Sequence, residues 1–184
     1  MTAEGDFTLD DLFTLPNLPC RADLIDGRLH FHDPQSSFHS VTVDLLVSGL
    51  RRSAPTAFDV SRNMTVVIDR RNGPEPDVSL IRAEAITGWD QMSYRAEDVV
   101  LAIEVVAKDT EARDRGIKPR KYAAAGIHHF WLVSMDRESQ RPVVEVYEHD
   151  AVTGTYALTG IHHDHLKISV PYDIDIDLTA IDNL

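Results

Sequence analysis

The chain has 184 residues, 43% hydrophobic and 26% charged, the proportions of an ordinary globule rather than of a disordered or membrane-embedded chain. Its 30 acidic against 18 basic residues leave a net charge of −12, which excludes a protein that coats nucleic acid by bulk electrostatics but permits basic residues gathered at one site. Cys20 is the single cysteine, so no internal disulfide can form, and the opening MTAEGDFTLDDLF carries neither a basic region nor a long apolar stretch. The expectation is a cytoplasmic protein without signal peptide or membrane span.

In chain order, Thr8 with Asp11 three residues on forms a capping box and predicts a short helix through Phe13, ended by Pro16 and Pro19. Asp26-Gly27 between two apolar-alternating runs predicts a β-hairpin. Phe38, Val41, Leu45 and Leu46 recur at helical spacing, so a second helix is expected over about 36–52. Strands are expected at Ala57–Val60, Met64–Ile68, Asp77–Ile81 and Val99–Val106, with a loop by composition at Arg70–Pro76. A helix over 118–125 ends at Gly126, a good C-cap residue, and Pro119 should push Lys118 out of helical geometry. His129–Ser134 and Val143–His149 read as strands, and the alternating tail to Leu184 as β or edge structure. With no repeat or linker, residues 1–184 are expected to form one mixed α/β domain.

One residue stands out. Glu104 interrupts the unbroken apolar run Val99–Ala107, which reads as a strand buried on both faces. A lone carboxylate there is costly unless a cation or hydrogen bonds meet it. Asp77 opens the preceding apolar strand and Lys118 follows on a helix; an Asp, a strand-borne Glu and a Lys are the residue set of a metal-dependent phosphodiesterase. Mg²⁺ or Mn²⁺ takes one or two protein carboxylates, the remainder being water and phosphate oxygens, so Asp77 and Glu104 could hold the ion if their strands lie side by side. The carbonyl of Val105 is a further candidate ligand. A nearby cation is needed to position the nucleophile or neutralise the transition state. In the common nuclease arrangement it sits two residues after the Glu, where this chain has Val106, so Lys118 is the expected donor, with Lys108 and Lys121 as substitutes.

The segments Asp23-Leu-Ile-Asp-Gly-Arg-Leu29, His39, Glu75-Pro-Asp77-Val78, Val100-Leu-Ala-Ile-Glu104-Val-Val106 and Asp114-Arg-Gly-Ile-Lys118-Pro-Arg-Lys-Tyr122 through Trp131 resemble, in that order, the Uma2 family, a branch of the PD-(D/E)XK nuclease superfamily. The resemblance implies a restriction-endonuclease-like core, a mixed sheet flanked by helices, a metal-dependent nuclease site and a homodimer. On the matching positions it implies Asp77 and Glu104 as metal ligands and Lys118 as the catalytic cation, with Asp23 as an accessory acid. The chain departs from the family pattern in having Asp23 where a Glu is usual, and Ala107-Lys-Asp-Thr110 where a Ser-Pro-Ser-Thr turn is common.

Other readings stand beside this one. Glu104 could be a structural acid paired with a buried cation, Asp77 a turn residue opening a strand, and Lys118 a solvated helix lysine. Tyr122, Phe130 and Trp131 read as core. His30, His32, His128, His129, His162, His163 and His165 invite a zinc-hydrolase reading but complete no ligand motif, and surface strand histidines explain them. Arg113, Arg115 and Arg120, with the neighbouring lysines, form a locally basic stretch that suits either a solvated face or a phosphate-contacting patch. The expected activity is DNA endonuclease; the rival is a catalytically decayed nucleic-acid- or partner-binding module of the same fold.

Overall fold

The strand and helix signals resolve into elements whose order places three acids and a lysine at one end of the central strands. The structure, a computed structural model, describes residues 2–3, 5–18 and 21–183; Pro19, expected to help end the first helix, and the lone Cys20 lie outside the described residues. Strand β1 (Thr2–Ala3) precedes α1 (Leu9–Thr14), whose Thr8–Asp11 capping box is present as expected. The hairpin β2 (Ala22–Ile25) and β3 (Arg28–Phe31) turns at Asp26 and Gly27, whose φ angles of 51° and 76° are those of a two-residue turn of type I′. With β1 they make a small sheet in the order β1-β3-β2.

Helix α2 (Ser37–Ser53) starts at Ser36, whose hydroxyl accepts from the His39 N–H. Then come β4 (Phe58–Arg62), β5 (Thr65–Val67), β6 (Val78–Arg82), β7 (Ser93–Arg95) and β8 (Val99–Val105). A π-helical turn, Arg113–Ile117, runs into α3 (Lys118–Ala124), followed by β9 (His129–Met135), β10 (Pro142–Asp150), β11 (Thr155–His162), β12 (His165–Ile168) and β13 (Ile174–Asp177). The central sheet has the order β11-β10-β9-β8-β6-β4. Its β8–β9 pair is parallel and the others antiparallel, because α3 carries the chain back across the sheet between β8 and β9 whereas its other neighbours are antiparallel.

Strand parity sorts the core into two layers. Val78, Leu80, Leu101, Ile103, Val105, Trp131 and Val133 point to the face covered by α2 and the β12–β13 hairpin. Ala102, Phe130 and Leu132 point to the other, beneath Tyr122 of α3, Val66 of β5 and Tyr94 of β7. Both faces of β8 are therefore buried, which explains its apolar sequence; each fully buried Leu or Ile contributes about 1.5–3 kcal/mol.

Two expectations need correction. Lys118 is helical, with φ −58° and ψ −46°, despite preceding Pro119. The π-helical turn supplies the reason: its wider winding lets the Lys118 N–H reach the carbonyl of Arg113, and it opens the preceding turn where the proline ring would otherwise crowd a carbonyl. Lys118 is also not solvated, being 1% exposed. Among the described residues no helix is long and apolar enough to cross a membrane.

Candidate active site at the end of the central sheet

Glu104 lies on the same face of β8 as Ala102, so its carboxylate points beneath α3 instead of into the α2 layer. Val78 pairs with Ile103 and Ser79 with Ala102, and continuing that antiparallel register by one residue puts Asp77 beside Glu104. The Val105 N–H donates to Asp77 Oδ2 at 2.9 Å and fixes the acid at this end of the strands. Val106, two residues past Glu104, packs with the apolar cluster under α3 and supplies no charge.

The cation arrives from α3. Lys118 Nζ lies 3.0 Å from Glu104 Oε2, 3.2 Å from Asp23 Oδ1 and 3.5 Å from Asp114 Oδ1. Tyr122, one helical turn on, donates its hydroxyl to Glu104 Oε1 at 2.6 Å. Asp23 reaches the cluster because β2 is tied to the loop before β6: the Gly73 N–H donates to the Leu24 carbonyl at 2.8 Å, and the Leu24 N–H to the Gly73 carbonyl at 3.1 Å. The Glu75 N–H then donates to Asp23 Oδ1 at 2.8 Å.

A second ring of side chains holds the acids in place. His39 Nε2 lies 3.2 Å from Asp77 Oδ1, and His32 Nε2 the same distance from Asp23 Oδ2. Arg21 joins Glu75 at 2.7 Å to Asp77 at 3.4 Å. Arg113, expected with Arg115 and Arg120 on a basic surface patch, is turned inward instead, with Nε 3.7 Å from Asp23 Oδ2; the buried carboxylates draw it there. Arg115 and Arg120 remain exposed, Lys121 pairs with Asp26, and Lys108 is exposed. Thus Asp23, Asp77, Glu104 and Lys118 are brought together, whereas Lys108 and Lys121 are not part of the cluster. What the structure shows of Val105 is its N–H, donating to Asp77.

Burial and charge push these groups apart in pKa. Burial drives the Glu104 carboxyl well above the usual carboxylate range; Lys118 opposes the rise, and Asp114, Asp77 and Asp23 add to it. Asp114 is also raised by burial. Burial would raise Asp23 too, but the Lys118 ammonium and the His32 contact hold it well below its ordinary value. Asp77 is likewise lowered, against its burial, by His39 and Lys118. Burial would strip the proton from Lys118, yet the surrounding Asp23, Glu104, Asp114 and Asp77 hold its pKa well above normal, so it stays an ammonium. Burial and Glu104 push the Tyr122 phenol well up, so it remains a donor.

Sequence spacing could have found two of the missed residues. Asp114, Lys118 and Tyr122 are four apart, the signature of one helix face. His39, His32 and Arg21 carried no such signal, since they are joined to the acids only by the packing of separate elements.

The converging groups Asp23, Asp77, Glu104 and Asp114 are carboxylates, oxygen donors of the kind a hard divalent ion takes, although each already faces a cation of the protein. Among the described residues no set of three or more His, Cys, Asp or Glu side chains is arranged to hold a metal. The remaining histidines are dispersed, His30 contacting Thr2 Oγ1 at 3.1 Å and His165 pairing with Asp175.

A family model, Uma2, described as "Putative restriction endonuclease", matches residues 9–180. No curated protein matches the chain. Among solved structures it is similar to a protein of Anabaena variabilis ATCC 29413 described as "a putative nuclease belonging to DUF820". That likeness has a TM-score of 0.63 and 16% sequence identity, and covers 90% of this chain and 89% of the other. It bears on the fold.

Proposed function

The chain belongs to the Uma2 family of restriction-endonuclease-like proteins, and from that premise we propose that it is a Mg²⁺- or Mn²⁺-dependent nuclease that hydrolyses phosphodiester bonds in DNA and works as a homodimer. The observation that carries this reading is the buried contact of Lys118 with Glu104, beside Asp77, at one end of the central strands. Asp77 and Glu104, with the carbonyl of Val105, would hold the ion, which when bound supplies Lewis acidity at the scissile phosphate. Lys118 positions the attacking water and neutralises charge that develops on the phosphate. Tyr122 orients Glu104 through its hydroxyl, and Asp23 holds Lys118 from the hairpin side. Arg115 and Arg120 contact flanking phosphates, while Arg113 serves the site from within by holding Asp23.

One observation favours the rival, a binding module with a decayed site: Glu104 and Lys118 are each only 1% exposed, and both Glu104 oxygens already have partners. Incubation with supercoiled plasmid and with single-stranded DNA separates the two. Cleavage is expected with Mn²⁺ or Mg²⁺, none in EDTA, and none from Glu104→Ala under any condition. Binding of DNA without cleavage, whatever the ion, would establish the module and reject the nuclease.

A further inference from the structure

Helix α3 presents two adjacent faces. Lys118 and Tyr122 turn to Glu104, whereas Pro119 and Ala123, the same four-residue spacing shifted by one, line a cavity of about 660 Å³ on the flank of the sheet. Its opposite wall is aromatic: the half-buried Tyr147 of β10 and Tyr156 of β11 form the accessible surface, backed by Phe130 of β9, which is itself buried. The ring centroids of Phe130 and Tyr156 are 5.4 Å apart and those of Phe130 and Tyr147 5.8 Å. Arg115 and Arg120 stand at the rim. The Arg115 guanidinium is shared with Glu111 at 3.3 Å and Glu145 at 3.6 Å. The Arg120 Nε donates to the Gly116 carbonyl at 2.7 Å, and among the described residues no carboxylate pairs with this side chain.

We propose that this cavity binds one unpaired nucleotide of the DNA strand, its base against the aromatic wall and its phosphate on Arg120. The size is that of an ordinary small-ligand pocket and exceeds what a base alone needs. Aromatic walls accept any base by stacking, and a guanidinium matches phosphate geometry with paired donors. A wholly apolar ligand would make no use of Arg120 at the rim, and a bare anion would leave the aromatic wall unused. The position is apt as well: Phe130 lies 6.1 Å, ring to ring, from Tyr122, whose hydroxyl is on Glu104. Two aromatic rings, Phe130 and then Tyr122, thus separate the cavity from the acid that would hold the metal. The identity of the ligand as part of a DNA strand rests on the nuclease reading above, but its recognition does not need cleavage.

The test is calorimetric titration in EDTA, where no cleavage can intervene, with deoxyadenosine monophosphate, deoxyadenosine and inorganic phosphate as separate probes. The mononucleotide should bind, and the nucleoside and phosphate should each bind at least about tenfold more weakly, since each forfeits one half of the recognition. Arg120→Ala, an exposed position whose loss should not disturb folding, should weaken mononucleotide binding about tenfold, as should Tyr147→Ala, which removes a stacking surface. Absence of mononucleotide binding, or binding that neither substitution weakens, overturns the proposal. Mononucleotide binding by a protein that never cleaves DNA would sustain the pocket and reject the nuclease reading; cleavage without such binding would do the reverse.

Discussion

Removing the Lys118 side chain would leave Asp23, Glu104 and Asp114 facing one another without their shared cation. Breaking a buried ion pair by deleting one partner costs about 3–5 kcal/mol. Lys118→Ala should therefore lower the melting temperature in EDTA, and Mn²⁺ should restore more of it in this variant than in the parent, because the added ion replaces lost positive charge. The cleavage rate should fall by about 10²-fold or more, the scale of losing a group that stabilises the transition state. Tyr122→Phe is the milder comparison: it removes one hydrogen bond to Glu104, worth about 0.5–3 kcal/mol, and should reduce the rate without abolishing it. Normal cleavage by Lys118→Ala together with a dead Lys108→Ala would move the catalytic cation to the exposed loop after β8.

At the scale of elements, the two faces of the central sheet have separate duties. Helix α2 and the β12–β13 hairpin cover the face away from Glu104, and there Gly49 sits so close to β13 that an added Cβ would meet Ile176 side-chain atoms at 2.6 Å. Gly49→Ala gains up to about 1 kcal/mol of helix propensity but forces α2 off the hairpin, an overpacking penalty of about 1–3 kcal/mol. The net expectation is destabilisation in urea unfolding with an unchanged cleavage rate per folded molecule. Loss of activity at full stability would show that the seating of α2, which carries the His39 that meets Asp77, sets the geometry of the site as well. This layering was legible in part. The Asp26-Gly27 hairpin, the capping box at Thr8 and the apolar β8 announce themselves through local chemistry. The π-helical turn at Arg113–Ile117 did not, because Pro119 locally argues against a helical Lys118 and only the widened turn accommodates it.

For the whole molecule, a net charge of −12 must coexist with the polyanionic substrate of the proposed nuclease. Much of the acidity at the site is answered internally, by Lys118, Arg21 and Arg113, while Arg115 and Arg120 stay at the surface. The proposed homodimer supplies a second such surface and matches the two-fold symmetry that relates the strands of a duplex. Strand β11, at one edge of the six-stranded sheet, exposes Leu158 and Ile161, and an edge of that kind is open to pairing. Sedimentation at micromolar concentration should show a species of twice the monomer mass; a monomer alone at those concentrations would contradict the assembly.

The sequence by itself determined the parts that depend on near neighbours and order: an α/β chain, the hairpin, the buried β8, and the succession Asp77, Glu104, Lys118. An acid in an apolar strand announces an unusual environment because burying it unpaired is so costly. Only the tertiary structure decided what surrounds that acid. Asp23 and Glu75 come from segments 52 residues apart, and Tyr122 reaches Glu104 from 18 residues on. His39 meets Asp77 across separate elements, and Arg113 turns inward instead of outward. Such contacts follow from how layers pack, and packing brings together residues that no local spacing connects.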